Sequence, residues 1–182
     1  MALPALAMVR PLFLAPERPA DAAVADGLIA RAFGPGRYPK AAERLREGLA
    51  PIAELSFLAW VDGRALGCVR LWPIAIGERP AVLLGPIAVE ESERSAGVGA
   101  VLIQRACEAA QTAGWALVLL VGDEAYFGQF GFTRTDAVTM PGPVDPRRVL
   151  VRALAPGAGD GLNGAVHAAM PSAVPVLALA AE

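Results

Sequence analysis

The residues best suited to chemistry lie in one short glycine-containing segment, which we call the glycine loop. In order, its residues are Arg94, Ser95, Ala96, Gly97, Val98, Gly99 and Ala100. An apolar helical pattern starts at Gly97, and the first N–H groups of a helix lack partners inside it and carry the positive end of its dipole. Glycines leave this backbone open to a ligand, and Arg94 can add a charge-assisted hydrogen bond. The segment therefore predicts a site for a phosphate or pyrophosphate.

Two common phosphate-binding motifs do not match this segment. The dinucleotide fingerprint needs a glycine at position 102, which is Leu102, and the ATP-binding P-loop needs Gly-Lys-Ser/Thr. Neither glycine of the loop precedes a lysine, since the only lysine of the chain is Lys40. Another kind of nucleotide-phosphate binder stays open as a weaker alternative.

Composition limits the class of protein. The chain has 182 residues, near the size of one domain, with 55% hydrophobic and 19% charged residues. Such a composition excludes an intrinsically disordered protein. The formal net charge of −2 argues against a nucleic-acid partner, because capture of a polyanion needs a basic surface.

The cysteines and the two ends of the chain indicate the compartment. Cys68 and Cys107 lie in apolar stretches without metal-ligand spacing, so we expect buried thiols in a reducing compartment and no metal site. The apolar segment 1–14 is interrupted by Arg10 and two prolines, unlike a signal peptide. The apolar run 168–181 is too short to span a membrane. A cytoplasmic protein without a membrane partner is therefore expected.

The elements around the glycine loop predict a mixed α/β domain. A hairpin is expected from Leu55–Val61 and Ala65–Trp72, because Asp62-Gly63 suits a type I′ turn. The next strand, Ala81–Val89, contains Gly85-Pro86 and should be bulged or splayed there, since proline cannot donate to a strand ladder.

The second half of the chain continues this pattern. A helix from Gly97 to about Ala113 and an apolar strand Ala116–Val121 imply a right-handed parallel crossover. The apolar stripe predicted for this helix comprises Val98, Val101, Leu102, Ala106, Ala109 and Ala113. A short helix at about Ala125–Phe130, closing strands Phe132–Val138 and Arg148–Leu154, and an irregular tail from Pro156 should follow.

The glycine loop resembles the R/Q-x-x-G-x-G/A signature of the GNAT superfamily of acyl-CoA-dependent N-acetyltransferases. Arg94, Gly97 and Gly99 fill its three defining places, directly after the strand with Gly85-Pro86. Gly131-Phe132 resembles the family's glycine-phenylalanine before its sixth strand, and Val121-Gly122-Asp123 resembles a bacterial subgroup. The order of elements is similar to the family's from about Leu12 to Leu154.

The resemblance implies a fold, a cosubstrate and a set of binding residues. The fold would be a single α/β (α+β) domain over residues 1–182, with its core at about 10–155. Its mixed, mostly antiparallel sheet would have splayed central parallel strands four and five, with helices on both faces. Acetyl-CoA would place its pantetheine beside Ile87, Ala88 and Val89 and its pyrophosphate in the glycine loop. The alternative is that Gly97 and Gly99 only let a helix pack tightly on the sheet.

The resemblance also implies direct attack of an amine on the acetyl thioester. The family's acidic tyrosine usually lies four residues before the glycine of Gly131-Phe132, but that position is Phe127. Tyr126 is one place off, which on a helix rotates a side chain by about 100°. Tyr126 is then either the acid for the leaving thiolate, through a locally altered helix, or a packing aromatic. Asp123 is either a general base acting through water or a helix N-cap.

The predicted function is therefore acetylation of a primary amine of a small molecule or peptide. The alternative is a non-catalytic acyl-CoA-binding or regulatory module, suggested by Phe127. Arg37, Tyr38 and Lys40 border the acceptor region in such folds, where they would select an anionic acceptor or simply begin a helix. His167 lacks evident triad partners and is interpreted as structural, and the closing strands favour a homodimer.

Overall fold

The computed structural model describes residues 11–34, 41–94 and 96–169. In these ranges the strands are β1 (Phe13–Pro16), β2 (Phe57–Val61), β3 (Arg64–Ile76), β4 (Arg79–Val89), β5 (Leu117–Val121), β6 (Thr133–Arg134), β7 (Val138–Thr139), β8 (Val149–Ala153) and β9 (Gly164–Ala168). The α-helices are α1 (Ala22–Phe33), α2 (Ala41–Arg44), α3 (Val98–Thr112) and α4 (Glu124–Phe127).

The strands form one mixed sheet with helices on both faces, as predicted. The strand order is β1-β2-β3-β4-β5-β8-β6, and β9 pairs with both β3 and β7. Strands β4 and β5 are parallel, and their neighbours β3 and β8 run antiparallel to them. Helix α3 packs on one face, whereas α1 and α2 pack on the other. The sheet therefore presents β4 and β5 at its centre, between the two helical layers.

The hairpin β2–β3 forms as predicted. Asp62 has a φ of 49° and Gly63 a φ of 76°, so both turn residues are in the left-handed region. Two consecutive positive φ values define the type I′ turn, whose twist matches that of the flanking strands. The turn pairs Val61 with Arg64 and Trp60 with Ala65, and the register then shifts at a bulge before Ala59 pairs with Gly67.

Strands β4 and β5 part from each other where Gly85-Pro86 predicts it. Their parallel pairing covers only Val82 with Val118 and Leu83 with Leu119. On the other side of β4, the register with β3 shifts between Val69 and Leu71, so that β4 is bulged. The indole of Trp72 donates to the carbonyl oxygen of Gly85 at 2.7 Å, which stabilises the displaced backbone. We call the opening beyond Leu83 and Leu119 the fork.

Helix α3 closes over the sheet through a face that differs in part from the predicted stripe. Its buried residues are Val98, Leu102, Ile103, Ala106, Cys107 and Ala110. Val101 is 39% exposed, so its place in the stripe was wrong. The helix lies so near β3 that a Cβ at Gly67 would be 3.1 Å from Leu102 Cδ1. The buried face thus includes Ile103, Cys107 and Ala110, which the predicted stripe lacked.

Two predictions for the last third of the chain were wrong. The strand expected at Phe132–Val138 is split into β6, which pairs with β8, and β7, which pairs with β9. The chain turns between them, where the Thr135 hydroxyl accepts a hydrogen bond from Ala137 N. The tail is also not wholly irregular, because β9 adds to β3 opposite Ile74–Ile76. His167 lies on β9, with Nε2 3.0 Å from the Gly77 carbonyl oxygen.

Both cysteines are free and buried, as predicted. Cys68 lies under α1, with Sγ 3.8 Å from the Ala25 carbonyl oxygen. Burial raises the pKa of Cys68 to about 12 and that of Cys107 to about 11. Within the described ranges, no helix is both long and apolar enough to cross a membrane.

We expect stability to fall at alkaline pH because of these two thiols. An unfolded thiol loses its proton above about pH 8.5, whereas the folded thiols keep theirs. The unfolded state therefore binds fewer protons, and each thiol lowers the free energy of unfolding by up to about 1.4 kcal/mol per pH unit above that point. Urea unfolding at about pH 8 and pH 10 measures the slope. Cys68→Ala should make the slope shallower; an unchanged slope would contradict this explanation.

Candidate active site

The glycine loop leaves the amino end of α3 open. Gly97 is the N-cap residue, with a left-handed φ of 79° and no side chain to cap the helix. The first bond of the helix runs from Val101 N to the Gly97 carbonyl oxygen, at 3.1 Å. Among the described residues, nothing accepts from the N–H groups of Val98, Gly99 and Ala100. Together with the helix dipole, these three donors are what the predicted anion site requires.

The surface above this helix end is accessible. A Cβ added at Gly97 would meet no atom within 4 Å. Arg94 and Ala96 are exposed beside it, and Ser95 lies outside the described residues. Gly99 and Ala100 are half-buried, whereas Val98 is buried against the sheet. The surroundings of Gly97 therefore contradict the tight-packing alternative, whereas Gly99 does lie close to neighbouring side chains, with Tyr126 Oη 3.3 Å from its Cβ position.

The final residues of β4 border the fork on the side of α3. Ile87 and Val89 pack partly against the α3 layer, and Ala88 is buried against α1. Glu90 N donates to the Leu66 carbonyl oxygen at 2.8 Å, on the side of β3. Because successive residues of a strand direct their N–H and C=O groups to opposite edges, those of Ile87 and Val89 face the fork. This edge of β4 can pair with an extended ligand.

Tyr126 and Phe127 face different surroundings, although they are neighbours on α4. A Cβ built at Gly99 would lie 3.3 Å from Tyr126 Oη and 3.6 Å from Val89 Cγ2. The tyrosine hydroxyl thus lies beside the glycine loop, and burial raises its pKa above the ordinary value. Phe127 instead packs on the core, with its ring edge-to-face against Phe132 at 6.1 Å between centroids. The rotation between adjacent helical positions puts the tyrosine, not the phenylalanine, on the side of the glycine loop.

Asp123 caps α4. Its Oδ1 accepts a hydrogen bond from Ala125 N at 3.1 Å, and the side chain is exposed. This confirms the N-cap interpretation of Asp123. A role as general base is compatible with its exposure and stays a prediction.

Gly122 positions Phe127, and we expect Gly122→Ala to be strongly destabilising for its size. The added methyl would lie less than 3.0 Å from the Phe127 ring and 2.9 Å from Leu120 Cδ1. Overpacking of this kind costs about 1–3 kcal/mol, measured by urea unfolding. Gly128→Ala is the matched control, because a Cβ there meets nothing within 4 Å. Phe127→Leu should lower the free energy of unfolding less in the Gly122→Ala background than in the wild-type protein, because the smaller side chain relieves the overpacking. If the two losses of stability simply add, residues 122 and 127 are not in contact as described.

A cavity of about 330 Å³ lies at the fork, on the face that carries α2. It is lined by Phe33, Ala41, Ala42, Glu43, Arg46, Leu83, Leu84, Gly85, Pro86, Val121, Pro143, Val144, Asp145 and Arg148. We call it the fork cavity. It lies at the opposite face of the fork from α3, so ligands from the two sides would meet between β4 and β5.

The sequence did not identify the polar residues of this cavity. Arg46 follows α2, whereas Asp145 and Arg148 lie in the connection before β8, and only the fold brings these two segments together. One signal was present, because Arg148 is the first residue of the predicted closing strand Arg148–Leu154 and follows a proline-rich connection. Arg37, Tyr38 and Lys40, which were predicted to border the acceptor, lie outside the described residues. Within the described ranges, no group of three or more His, Cys, Asp or Glu side chains could hold a metal ion.

Comparison with known proteins agrees with this geometry. The acetyltransferase (GNAT) family pattern matches residues 27–132. The chain is 30% identical over 119 residues to YhbS of Escherichia coli K12, an uncharacterized N-acetyltransferase, covering 64% of this chain and 70% of YhbS.

Two solved structures share the fold. The crystal structure of E. coli YhbS in complex with CoA has a TM-score of 0.77 and 26% identity, covering 88% of this chain and 91% of that one. A GNAT family acetyltransferase from Brucella melitensis, solved with acetyl-CoA, has a TM-score of 0.66 and 25% identity, covering 90% and 98%. The glycine loop, the fork and the matched family pattern lead to one conclusion: this chain belongs to the acetyltransferase (GNAT) family.

Proposed function

We propose that the protein is an N-acetyltransferase that moves the acetyl group of acetyl-CoA to a primary amine of a small molecule or peptide. The observation that carries this proposal is the fork between β4 and β5, with helix amides that donate to no described residue at one face and a cavity at the other. The CoA and acetyl-CoA complexes of the two similar proteins support the choice of cosubstrate.

The residues present fit this cosubstrate along its length. The N–H groups of Val98, Gly99 and Ala100 would hold the pyrophosphate, with Arg94 beside them. The free edge of Ile87 and Val89 would pair with the amides of the pantetheine arm, as an added strand does. This order places the thioester near Gly85 and Pro86, which line the fork cavity.

The chemistry is acyl transfer. The amine nitrogen attacks the thioester carbonyl carbon, the new C–N bond forms, the C–S bond breaks, and the amine proton leaves, so that an amide and the CoA thiol result. The N–H of Ile87 faces the fork and is the candidate donor to the developing oxyanion. Asp123, at the carboxyl end of β5, is the candidate base through water.

Tyr126 is the candidate acid: a tyrosine hydroxyl is protonated at neutral pH because its ordinary pKa is about 10, and burial raises the pKa of Tyr126 further. Its position beside Gly99 is nearer the pyrophosphate end of the fork than the cavity end. This position suits a hydrogen bond from the Tyr126 hydroxyl to the coenzyme at least as well as it suits proton donation to the thioester sulfur. Phe127, which is packed on Gly122, has no proton to donate.

Because Phe127 has no proton to donate where the family's acidic tyrosine usually lies, a second candidate function is a non-catalytic acyl-CoA-binding module. Thiol release from acetyl-CoA across a panel of primary amines and short peptides distinguishes the two functions. We expect release that depends on an acceptor, together with an acetylated product by mass spectrometry. Binding of acetyl-CoA without release on any acceptor would indicate the module, and equal competition by ATP or NAD would indicate a nucleotide-phosphate binder.

A further inference from the structure

The charged side chains that line the fork cavity differ in whether an ion pair with a neighbouring residue neutralises them. Glu43 accepts a hydrogen bond from Arg46 Nη1 at 2.9 Å, and this ion pair is mostly buried. The Arg46 guanidinium also lies over the Trp72 ring, 5.9 Å from its centroid. Glu43 and Arg46 are therefore held in place by each other and by the Trp72 ring. Because their charges are opposite, the pair contributes no net charge to the cavity.

Asp145 is neutralised from outside the cavity. Its carboxylate accepts hydrogen bonds from Arg147 N at 3.0 Å, Nε at 3.1 Å and Nη2 at 2.8 Å. These hydrogen bonds hold the pKa of Asp145 below its usual range. Arg147 does not line the cavity. Its positive charge therefore neutralises Asp145 and is not available to a ligand in the cavity.

Among the described residues that line the cavity, Arg148 is the charged side chain without an ion pair, although its charge also acts on nearby Asp145. It lines the cavity and is exposed, and it makes no ion pair with any described residue. Its backbone is fixed, because Gly122 N donates to the Arg148 carbonyl oxygen at 2.8 Å and Arg148 N donates to the Asp145 carbonyl oxygen at 2.9 Å. Arg148 is thereby anchored next to the carboxyl end of β5, close to where the thioester is expected.

We propose that Arg148 selects acceptors that carry an anionic group, a carboxylate or a phosphate, together with the reactive primary amine. This inference rests on the proposed function. Most of the other lining residues are apolar, among them Phe33, Pro86 and Val144, and they suit a short carbon skeleton. A volume of about 330 Å³ fits a small amino acid or aminophosphate. The guanidinium would hold the anion in a bidentate pair while the amine points to the fork.

The test compares acceptors that differ only in the anion. The probes are L-leucine, L-phenylalanine, β-alanine and γ-aminobutyrate, each against its amide, and phosphoethanolamine against ethanolamine. We expect kcat/KM to be at least about tenfold higher for the anionic member of the preferred pairs. The amino acids and phosphoethanolamine distinguish a carboxylate from a phosphate as the anion.

Arg148→Gln should lower kcat/KM for the anionic acceptors about 10- to 100-fold, mainly through KM, and leave their amides within about twofold. Arg79→Gln removes the same charge far from the cavity and should change neither. Acetyl-CoA affinity, by isothermal titration, should stay the same in both variants. Absence of acetyl-CoA binding by the wild-type protein would refute the proposed function instead.

Three results would overturn the role of Arg148. One is an equal or better rate with the neutral member of every pair. Another is an equal loss for both members in Arg148→Gln. The third is no turnover of any anionic probe by protein that acetylates other primary amines, whereas acetyl-CoA binding without turnover of any amine would contradict the proposed function instead.

Discussion

Replacing Gly97 with glutamate should abolish acetyl-CoA binding and leave the fold intact. A Cβ at Gly97 meets no atom within 4 Å, so the larger side chain would occupy the space above the helix end. Its carboxylate would then accept from, or lie over, the amides of Val98 to Ala100, where the pyrophosphate is expected. We expect the affinity to fall more than about 100-fold, equivalent to about 2.7 kcal/mol, in isothermal titration.

The control for Gly97→Glu must carry the same backbone strain. Gly48→Glu does so, because Gly48 has a φ of +72° and open space around its Cβ position. Each substitution puts a side chain in the left-handed region, at a cost of roughly 1–2 kcal/mol. Gly48→Glu should bind acetyl-CoA normally, and both variants should keep a native circular dichroism spectrum. Comparable loss of binding in the two variants would show that strain, not the blocked amides, is responsible.

Arg70→Met should be among the most destabilising single substitutions in the sheet. Arg70 is 8% exposed and binds Glu17, itself 7% exposed, through Nε at 2.9 Å and Nη2 at 2.6 Å. The same guanidinium binds Asp26 of α1 at 2.6 Å, so it joins β3 to the segment after β1 and to α1. Removing it leaves a buried carboxylate without its cation, which costs about 3–5 kcal/mol in urea unfolding.

The partners of Arg70 supply the controls. Glu17→Gln in the Arg70→Met background should recover part of the lost stability, because it removes the uncompensated charge. Asp26→Asn alone should cost less than about 1 kcal/mol, since the Asp26 side chain is 62% exposed. If Glu17→Gln adds to the loss instead of reducing it, the buried charge is not the cause of the instability.

The parts of the fold that could be predicted depend on local signals. Asp62-Gly63 specifies its turn through two positive φ values, and Gly85-Pro86 marks the bulge through a missing donor. The glycine loop is local as well, because a helix start without a capping side chain is visible in consecutive residues. These features, together with the parallel crossover they flank, were enough to predict the family and the order of the central elements.

The remaining features depend on contacts between distant segments. Phe127 rather than Tyr126 faces the core because Gly122 leaves room for its ring, and no local pattern records that choice. Strand β9 forms because the edge of β3 at Ile74–Ile76 is available to it, not because the glycine-rich tail favours a strand. The fork cavity likewise joins α2, β4 and the connection before β8. Arg148 therefore became a candidate only once these segments were seen together.

A crystal structure of the protein with acetyl-CoA tests the central proposal most directly. The account predicts diphosphate oxygens about 3 Å from the N–H groups that begin α3, the pantetheine arm along the free edge of β4, and the acetyl group at the mouth of the fork cavity. Coenzyme bound elsewhere, or a helix end covered by the protein's own side chains in the complex, would contradict it.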